Sequence, residues 1–466
     1  MPHYDLVIVG TGSGNSILDQ RFAGWQVALV EKGVFGGTCL NVGCIPTKMF
    51  VHAADVAATP GGAARLGVDE ALTGVRWTDV RDRIFGRIDP IATGGREYRI
   101  GHADNANVTV YEGTARFTGE RTLSVLPNAG GAPETITADR VVLAAGSRPR
   151  VPDVDGITEV GFHTSDTVMR LASLPDSMII VGSGFVAAEF AHVFSAFGVR
   201  VTVIGRSGAL LRHEDVDISN RFTELAGRRW DVRLNRKELG VVRDPDGQVV
   251  LQLDGPDGPE SVRADELLVA VGRVPNSDLL DLDVAGVEVG ADGYVVVDEF
   301  QRTTAEGIWA LGDLCSAHQL KHVANHEARV VRHNLLHPDR PVAADHRFVP
   351  HAVFTSPQIA SVGLTEQDAV LRGTRFVMST QDYAGIAYGW AMEDTTGFAK
   401  LLADPDTGQL LGAHIIGPQA ATLIQPLIQA MTFGLDARTM AGGQYWIHPA
   451  MPELVENALL NLPLDG

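Results

Sequence analysis

Two of the three cysteines of this chain, Cys39 and Cys44, stand with four residues between them in the segment GGTCLNVGCIPTK, Gly36 to Lys48. A pair of thiols this close suits a disulfide, a metal or redox chemistry. Zinc would need about four ligands, and no second CxxC or tight histidine group accompanies the pair, so metal binding is the weak alternative. For a disulfide, a regular helix would leave the two side chains about 140° apart, so the helix between them must be broken. Gly43 permits the break, and Pro46 would clash with the Val42 carbonyl of a continuous helix. A helix restarting near Pro46 would turn its positive end towards Cys44 and favour a thiolate there. Strained disulfides with a stabilised thiolate are the labile, catalytic kind.

The elements that must carry this pair are α/β. Apolar β-rich runs ending in glycine recur at 4–10, 140–146, 177–182, 266–272 and 307–312, with helical patterns between them, as in parallel sheets. Two of the runs open into glycine-rich phosphate loops. The first is Gly10-Thr11-Gly12-Ser13-Gly14-Asn15, with Glu31 at the end of the next strand, where an acid holds a ribose hydroxyl. Asn15 replaces the third glycine and is expected to loosen the packing of the following helix on its strand. The second is Gly182-Ser183-Gly184-Phe185-Val186-Ala187, and the strand after its helix ends in Arg206, with Arg212 further on, rather than in a carboxylate. Guanidinium groups there suit a 2′-phosphate, so NADPH is expected over NADH, solvated surface arginines being the bland alternative.

Two loops in one chain imply two dinucleotides, most economically FAD at the first and a nicotinamide at the second. Gly312-Asp313, before a long helical run, places an acid where a flavin's ribityl hydroxyls would donate. After about residue 346 the pattern becomes antiparallel strands followed by helices near 418–434 and 452–460. The expected fold is therefore α/β, with two Rossmann-like domains, the second inserted in the first, and a C-terminal α+β domain. The boundaries are 1–150 and 276–345 for the FAD-binding domain, 151–275 for the NADPH-binding domain, and 346–466 for the last.

Bulk composition narrows the partners. A chain of 466 residues with 45% hydrophobic side chains folds as several domains, and a net charge of −19 disfavours nucleic acid and anionic membrane surfaces. The N-terminal apolar run, Leu6 to Val9, is too short for a signal peptide or a membrane span, and three cysteines are too few for a secreted scaffold, which points to the reducing cytoplasm. Cys315 reads as a small buried residue.

GGTCLNVGCIPTK resembles the active-site segment of the flavoprotein disulfide reductases, the family of glutathione reductase, dihydrolipoamide dehydrogenase and mercuric reductase. AAGSRP at 144–149, AVGRVPN at 270–276, ALGD at 310–313 and HPAMPE at 448–453 occur in the family's order. The resemblance implies that Cys39 attacks the substrate disulfide and Cys44 lies against the flavin, with Lys48 near flavin N5 and Glu189 its carboxylate partner. It makes His448 and Glu453 an acid–base pair serving the cysteines of the other subunit in a homodimer. A thiol leaving group needs a proton near neutral pH, which a histidine held by a carboxylate supplies. Gly37, Thr38, Gly146 and Gly272, within these motifs, are expected at the cofactor sites, and Phe185 is expected to cover the flavin until nicotinamide displaces it. Ala450 stands where the family usually has threonine.

The substrate implied is a small-molecule disulfide. The segments GTGSGNSILD, FGRIDPIA, KHVANHEARVV and YWIHPAMPELVENALL narrow the resemblance to one branch of the family that reduces a low-molecular-weight thiol's disulfide. Its alternatives are a dihydrolipoamide dehydrogenase or glutathione reductase-like enzyme, or a redox-responsive flavoprotein that acts by binding a partner.

Overall fold

A computed structural model describes residues 1–464, which form two compact units. The first comprises Met1–Thr47, Asp79–Arg150 and Arg273–His346. At its centre His3–Val9 pairs in parallel with Val27–Glu31 on one side and Glu134–Leu143 on the other; Val108–Gly119 and Ile308–Ala310 complete the parallel order. Side chains alternate between two cores. Tyr4, Val7 and Val9 face one, Leu6 and Ile8 the other, so both faces of the sheet are covered, as a parallel sheet requires. Thr122–Pro127 joins Val108–Gly119 and Glu134–Leu143 in an antiparallel meander.

The second unit comprises Lys48–Thr78, Val151–Gly272 and the chain from Arg347 onward. Its parallel sheet runs Glu266–Val269, Ser177–Val181, Arg200–Ile204, Asp231–Arg233, beside an antiparallel trio formed by Lys237–Arg243, Val249–Gly255 and Gly258–Ala264. Its C-terminal part is a five-stranded antiparallel sheet with Leu410–Ile416 at the centre, and the helices Gln425–Phe433 and Glu453–Leu460 share a core with it. Within that unit Lys400 is fully buried and neutralised by Asp215, Asp217 and Glu366.

The two phosphate loops lead into different elements. After Gly184 the twelve-residue helix Phe185–Ala196 forms as expected. After Gly12 the expected helix is absent: two short 3₁₀ turns, Gly14–Ile17 and Gln20–Phe22, take its place. The reason is Arg99, from the long helix Trp77–Gly101. Its guanidinium takes the carbonyls of Asn15 and Leu18, which an α-helix would use for the N–H groups four residues on, while the Asp19 side chain takes the N–H of Arg21. Nor does Asn15 loosen the packing. Gly14 does the close-packing work, since a Cβ there would lie 2.7 Å from that of Ala144.

Candidate active site

The break between the cysteines falls at Val42–Gly43. Gly37–Asn41 forms one short helix, its last N–H bond running from Val42 to Thr38, and Cys44–Ala58 forms the next. A Cβ at Gly43 would sit 2.9 Å from the Thr38 carbonyl oxygen, so a side chain there would force the turn open. The second helix starts at Cys44, two residues earlier than expected, with Pro46 in the first turn, where no N–H is needed. Thr47 closes that turn by donating from both its N–H and its Oγ1 to the Gly43 carbonyl. Asn41 fixes the approach, donating to the carbonyls of Phe35 and Gly37.

This geometry brings the two side chains beside one another as thiols, not joined in a disulfide. The contact with Cys44, reinforced by burial, pushes the Cys39 thiol well up, while the Lys321 ammonium pulls it down. Cys44 is exposed and Cys39 half-buried. Cys315 packs against the core of the first unit, its Sγ 3.7 Å from Gln301 Oε1 and from the Gly312 carbonyl. Desolvation, with Glu327 and Asp313 nearby, pushes its thiol well up.

The first phosphate loop lies against the cysteine segment. Gly10 has φ +104° and passes so near Ala144 that a Cβ would meet its carbonyl oxygen at 2.3 Å. Gly37, φ +68°, backs directly onto Gly12, 2.7 Å from a Cβ position to the Gly12 Cα. A Cβ on Gly12 itself would meet nothing nearer than 3.8 Å, and one on Gly146 nothing within 4 Å, so bare backbone faces open space, as close approach of a diphosphate requires. Glu31 accepts from the N–H and Oγ1 of Thr11 and, through its other oxygen, from Gly33 N–H. Asp313 accepts 2.7 Å from Ser147 Oγ, whose oxygen also receives Arg273 Nε, and Gly312 N–H donates to the buried Glu327. Thr38 is the second residue of the Gly37–Asn41 helix. These residues fit FAD: Glu31 for the ribose, the loop backbone for the diphosphate, Asp313 for the ribityl chain.

In the second unit, Gly182 has φ +139° and approaches the Ala270 carbonyl to 2.2 Å from a Cβ position, while Gly184 faces open space ahead of its helix. Phe185 is exposed, Val186 half-buried and Ala187 buried, and Gly272, φ +113°, has no neighbour to meet a side chain. Arg206 and Arg212 are both exposed. Arg206 does not stand alone: its Nε donates 2.7 Å to Glu238, a buried carboxylate that the sequence did not associate with it. Lys48, one turn beyond Cys44 in its helix, donates to both oxygens of Glu189, which also receives the Phe354 N–H, and its ammonium lies 4.8 Å from the Phe354 ring centre.

His448 Nδ1 lies 2.5 Å from Glu453 Oε1, with the ring 71% and the carboxylate 14% exposed. The Ala450 N–H donates to the other Glu453 oxygen, so backbone supports this pair without a threonine hydroxyl. Tyr445 and Ile447 beside it are exposed apolar side chains, a strip suited to a partner subunit. No group of metal-ligating side chains occurs among the described residues, and none of their helices is long and apolar enough to cross a membrane.

Sequence reasoning missed Thr11, Arg99, Glu238 and Lys321. Lys321 had a signal: it opens the helix Lys321–Leu336 shortly after Gly312-Asp313. Its ammonium donates 2.8 Å to Ser13 Oγ in the first loop.

A glycine loop with an acid on the next strand, a second loop of the same plan, and a contacting dithiol beside the first define a nucleotide-dependent disulfide oxidoreductase. The chain belongs to the pyridine nucleotide-disulphide oxidoreductases, whose family model matches residues 4–328, with their dimerisation domain matching 349–459. Its subunits pair as a homodimer through that domain. It is 56% identical over 466 residues to mycothione reductase of Mycobacterium tuberculosis, covering 99% of this chain and 100% of the relative. Mercuric reductase of Streptomyces lividans is 34% identical, over 94% of this chain and 92% of its own. Among solved structures, the HOCl-induced flavoprotein disulfide reductase of Escherichia coli superposes with a TM-score of 0.85 at 29% identity, covering 98% of this chain and 100% of that one.

Proposed function

We propose that the chain reduces mycothione, the disulfide of mycothiol, with electrons from NADPH passed through FAD to the Cys39–Cys44 pair. The observation that carries this reading is the 56% identity to mycothione reductase across the whole chain. When bound, FAD supplies two-electron transfer between a nicotinamide and the disulfide. The remaining work falls to the chain. The first loop with Glu31 and Asp313 binds FAD; the second loop with Arg206 and Arg212 binds NADPH; Phe185 gates; Lys48 and Glu189 hold a fixed charge beside the ring. His448 of the partner subunit takes the proton of the Cys39 thiol, the thiolate attacks one sulfur of mycothione to form a mixed disulfide, and the mycothiol thiolate expelled takes its proton from the imidazolium so formed. Glu453 holds that ring through Nδ1 and stabilises its charge. Cys44 then attacks Cys39 Sγ, re-forming the intramolecular disulfide and releasing the second mycothiol. The sum is mycothione, NADPH and one proton to two mycothiol and NADP⁺.

On this reading the protein works in the reducing cytoplasm and maintains a thiol pool there. The test is NADPH oxidation by the purified protein with mycothione, glutathione disulfide, trypanothione disulfide and lipoamide. Mycothione is expected to give the highest kcat/KM. Equal or better turnover of lipoamide with NADH would overturn the reading, and no turnover of any disulfide would leave the partner-binding flavoprotein in its place.

A further inference from the structure

The first phosphate loop lacks the element that usually makes such loops attractive to anions. A helix contributes a partial positive charge at its N-terminus only when its peptide dipoles align over several turns, and two 3₁₀ turns of four and three residues do not supply it. The second loop, which opens into twelve helical residues, does not have this deficit.

Two cations stand at the first loop instead. Lys321 donates to Ser13 Oγ at 2.8 Å, and Ser13 in turn donates to Asn325 Oδ1 at 3.3 Å. Lys321 has no carboxylate partner among the described residues. Arg99, buried behind the loop, is held by neutral oxygens only: Asn15 Oδ1 at 2.7 Å, Asn105 Oδ1 at 2.6 Å, and the carbonyls of Asn15 and Leu18. The nearby acid, Glu31, is occupied by Thr11 and Gly33 and pairs with neither cation. Arg99 is a buried charge without a counter-ion, which is costly, and with the half-buried Lys321 it gives the glycine loop a positive potential that a bound anion would balance.

We propose that Lys321 is a direct ligand of the FAD diphosphate at the first loop, with Arg99 as the positioning residue that holds the loop and supplies positive potential from behind. The inference rests on the reading that this loop binds FAD. Ser13 holds the ammonium at the loop, where a diphosphate would be its charge-assisted partner. Lysine serves here as a compact point charge where a helix end would otherwise serve.

The experiment uses the full-length protein stripped of flavin, with affinities for FAD and for riboflavin measured by flavin fluorescence at low and high salt, in wild type, Lys321→Met and Lys321→Arg. Loss of one charge-assisted contact corresponds to roughly tenfold or more in affinity. Lys321→Met is expected to weaken FAD by that factor, to flatten the salt dependence of FAD binding and to leave riboflavin, which has no phosphate, unchanged; Lys321→Arg is expected to recover most of the FAD affinity. Unchanged FAD affinity and salt dependence in Lys321→Met would overturn the proposal, as would an equal loss for riboflavin, which would mark a general structural defect. Failure of the wild-type protein to bind FAD at all is a different outcome, and it would remove the FAD reading itself.

Discussion

Lys48 reaches both oxygens of the Glu189 carboxylate at 2.8 Å from a single ammonium, and Glu189 is almost wholly buried. The lysine is about one-third exposed, so removing it strands a buried carboxylate that, among the described residues, keeps the Phe354 N–H alone. Screening at the exposed end tempers the loss, to about 1–3 kcal/mol for Lys48→Met. The expected outcome is a lower thermal midpoint for Lys48→Met and recovery of most of it in the double variant Lys48→Met with Glu189→Leu, because the double change leaves neither charge buried. The catalytic readout separates from stability: flavin reduction by NADPH in stopped flow is expected to slow at least tenfold in both proteins. Recovery of the rate along with the midpoint would show the pair to be structural only.

His448 is mostly exposed although its carboxylate partner is not, and this asymmetry bears on where it acts. If it serves the cysteines of the partner subunit, Cys39→Ser and His448→Gln proteins, each inactive by roughly 100-fold or more, should complement one another when mixed and allowed to exchange subunits. Random pairing makes half the dimers mixed, each with one complete site, so about a quarter of wild-type activity should return. If the histidine serves its own subunit, mixed dimers contain no complete site and activity stays at the background of the separate variants.

Much of this arrangement was legible because glycine and proline have few reasons to occur where they do. Gly10, Gly182 and Gly43 announce turns whose neighbours leave no room for a Cβ, and Pro46 announces a helix start. The parallel sheets and the C-terminal antiparallel sheet were readable from β-rich runs and their punctuation. The missing helix after Gly12 was not legible, since its cause, Arg99, is 84 residues away from Asn15. Lys321 and Ser13 are likewise 308 residues apart, and Glu238 reaches Arg206 from another strand. A local pattern reports what the backbone prefers, and these long-range polar contacts decide where it is overruled.

The second unit carries a pH-dependent pair. His351 Nε2 lies 2.7 Å from Glu214 Oε1, and Ser361 donates to the other oxygen. Burial alone would lower the histidine, but Glu214 outweighs it and holds its pKa above 6.5; burial would raise Glu214, but His351 and Ser361 hold it below 4.5. The histidine's stabilisation is therefore complete below 6.5 and lost as pH rises through its raised value, while the carboxylate's is complete above 4.5 and lost as pH falls through its lowered value. Buried His414, lowered chiefly by desolvation, opposes folding as pH falls below 6.5. His351→Gln is thus expected to reduce the thermal midpoint at about pH 6 and to match wild type by about pH 9. An equal gap at both pH values would contradict the linkage.

Arg206 offers the sharpest test of nucleotide choice, because Glu238 already occupies one edge of its guanidinium while 60% of the side chain faces solvent. Held by Nε, the group keeps its two terminal nitrogens for a phosphate, which is the bidentate geometry that arginine provides and lysine does not. Arg206→Ala is expected to raise KM for NADPH about tenfold and to leave NADH unaffected, since one charge-assisted contact to the 2′-phosphate is lost and NADH never made it. Arg206→Lys should recover less than half of that loss, because an ammonium shared with Glu238 cannot also grip the phosphate bidentately. Glu238→Gln should fall between wild type and Arg206→Ala: the guanidinium keeps its charge but loses the anchor that orients it. Arg206→Glu puts a second carboxylate beside Glu238 and should reverse the preference. An unchanged ratio of kcat/KM for NADPH over NADH in that variant would move the 2′-phosphate site away from Arg206 and leave Arg212 as the residue to test.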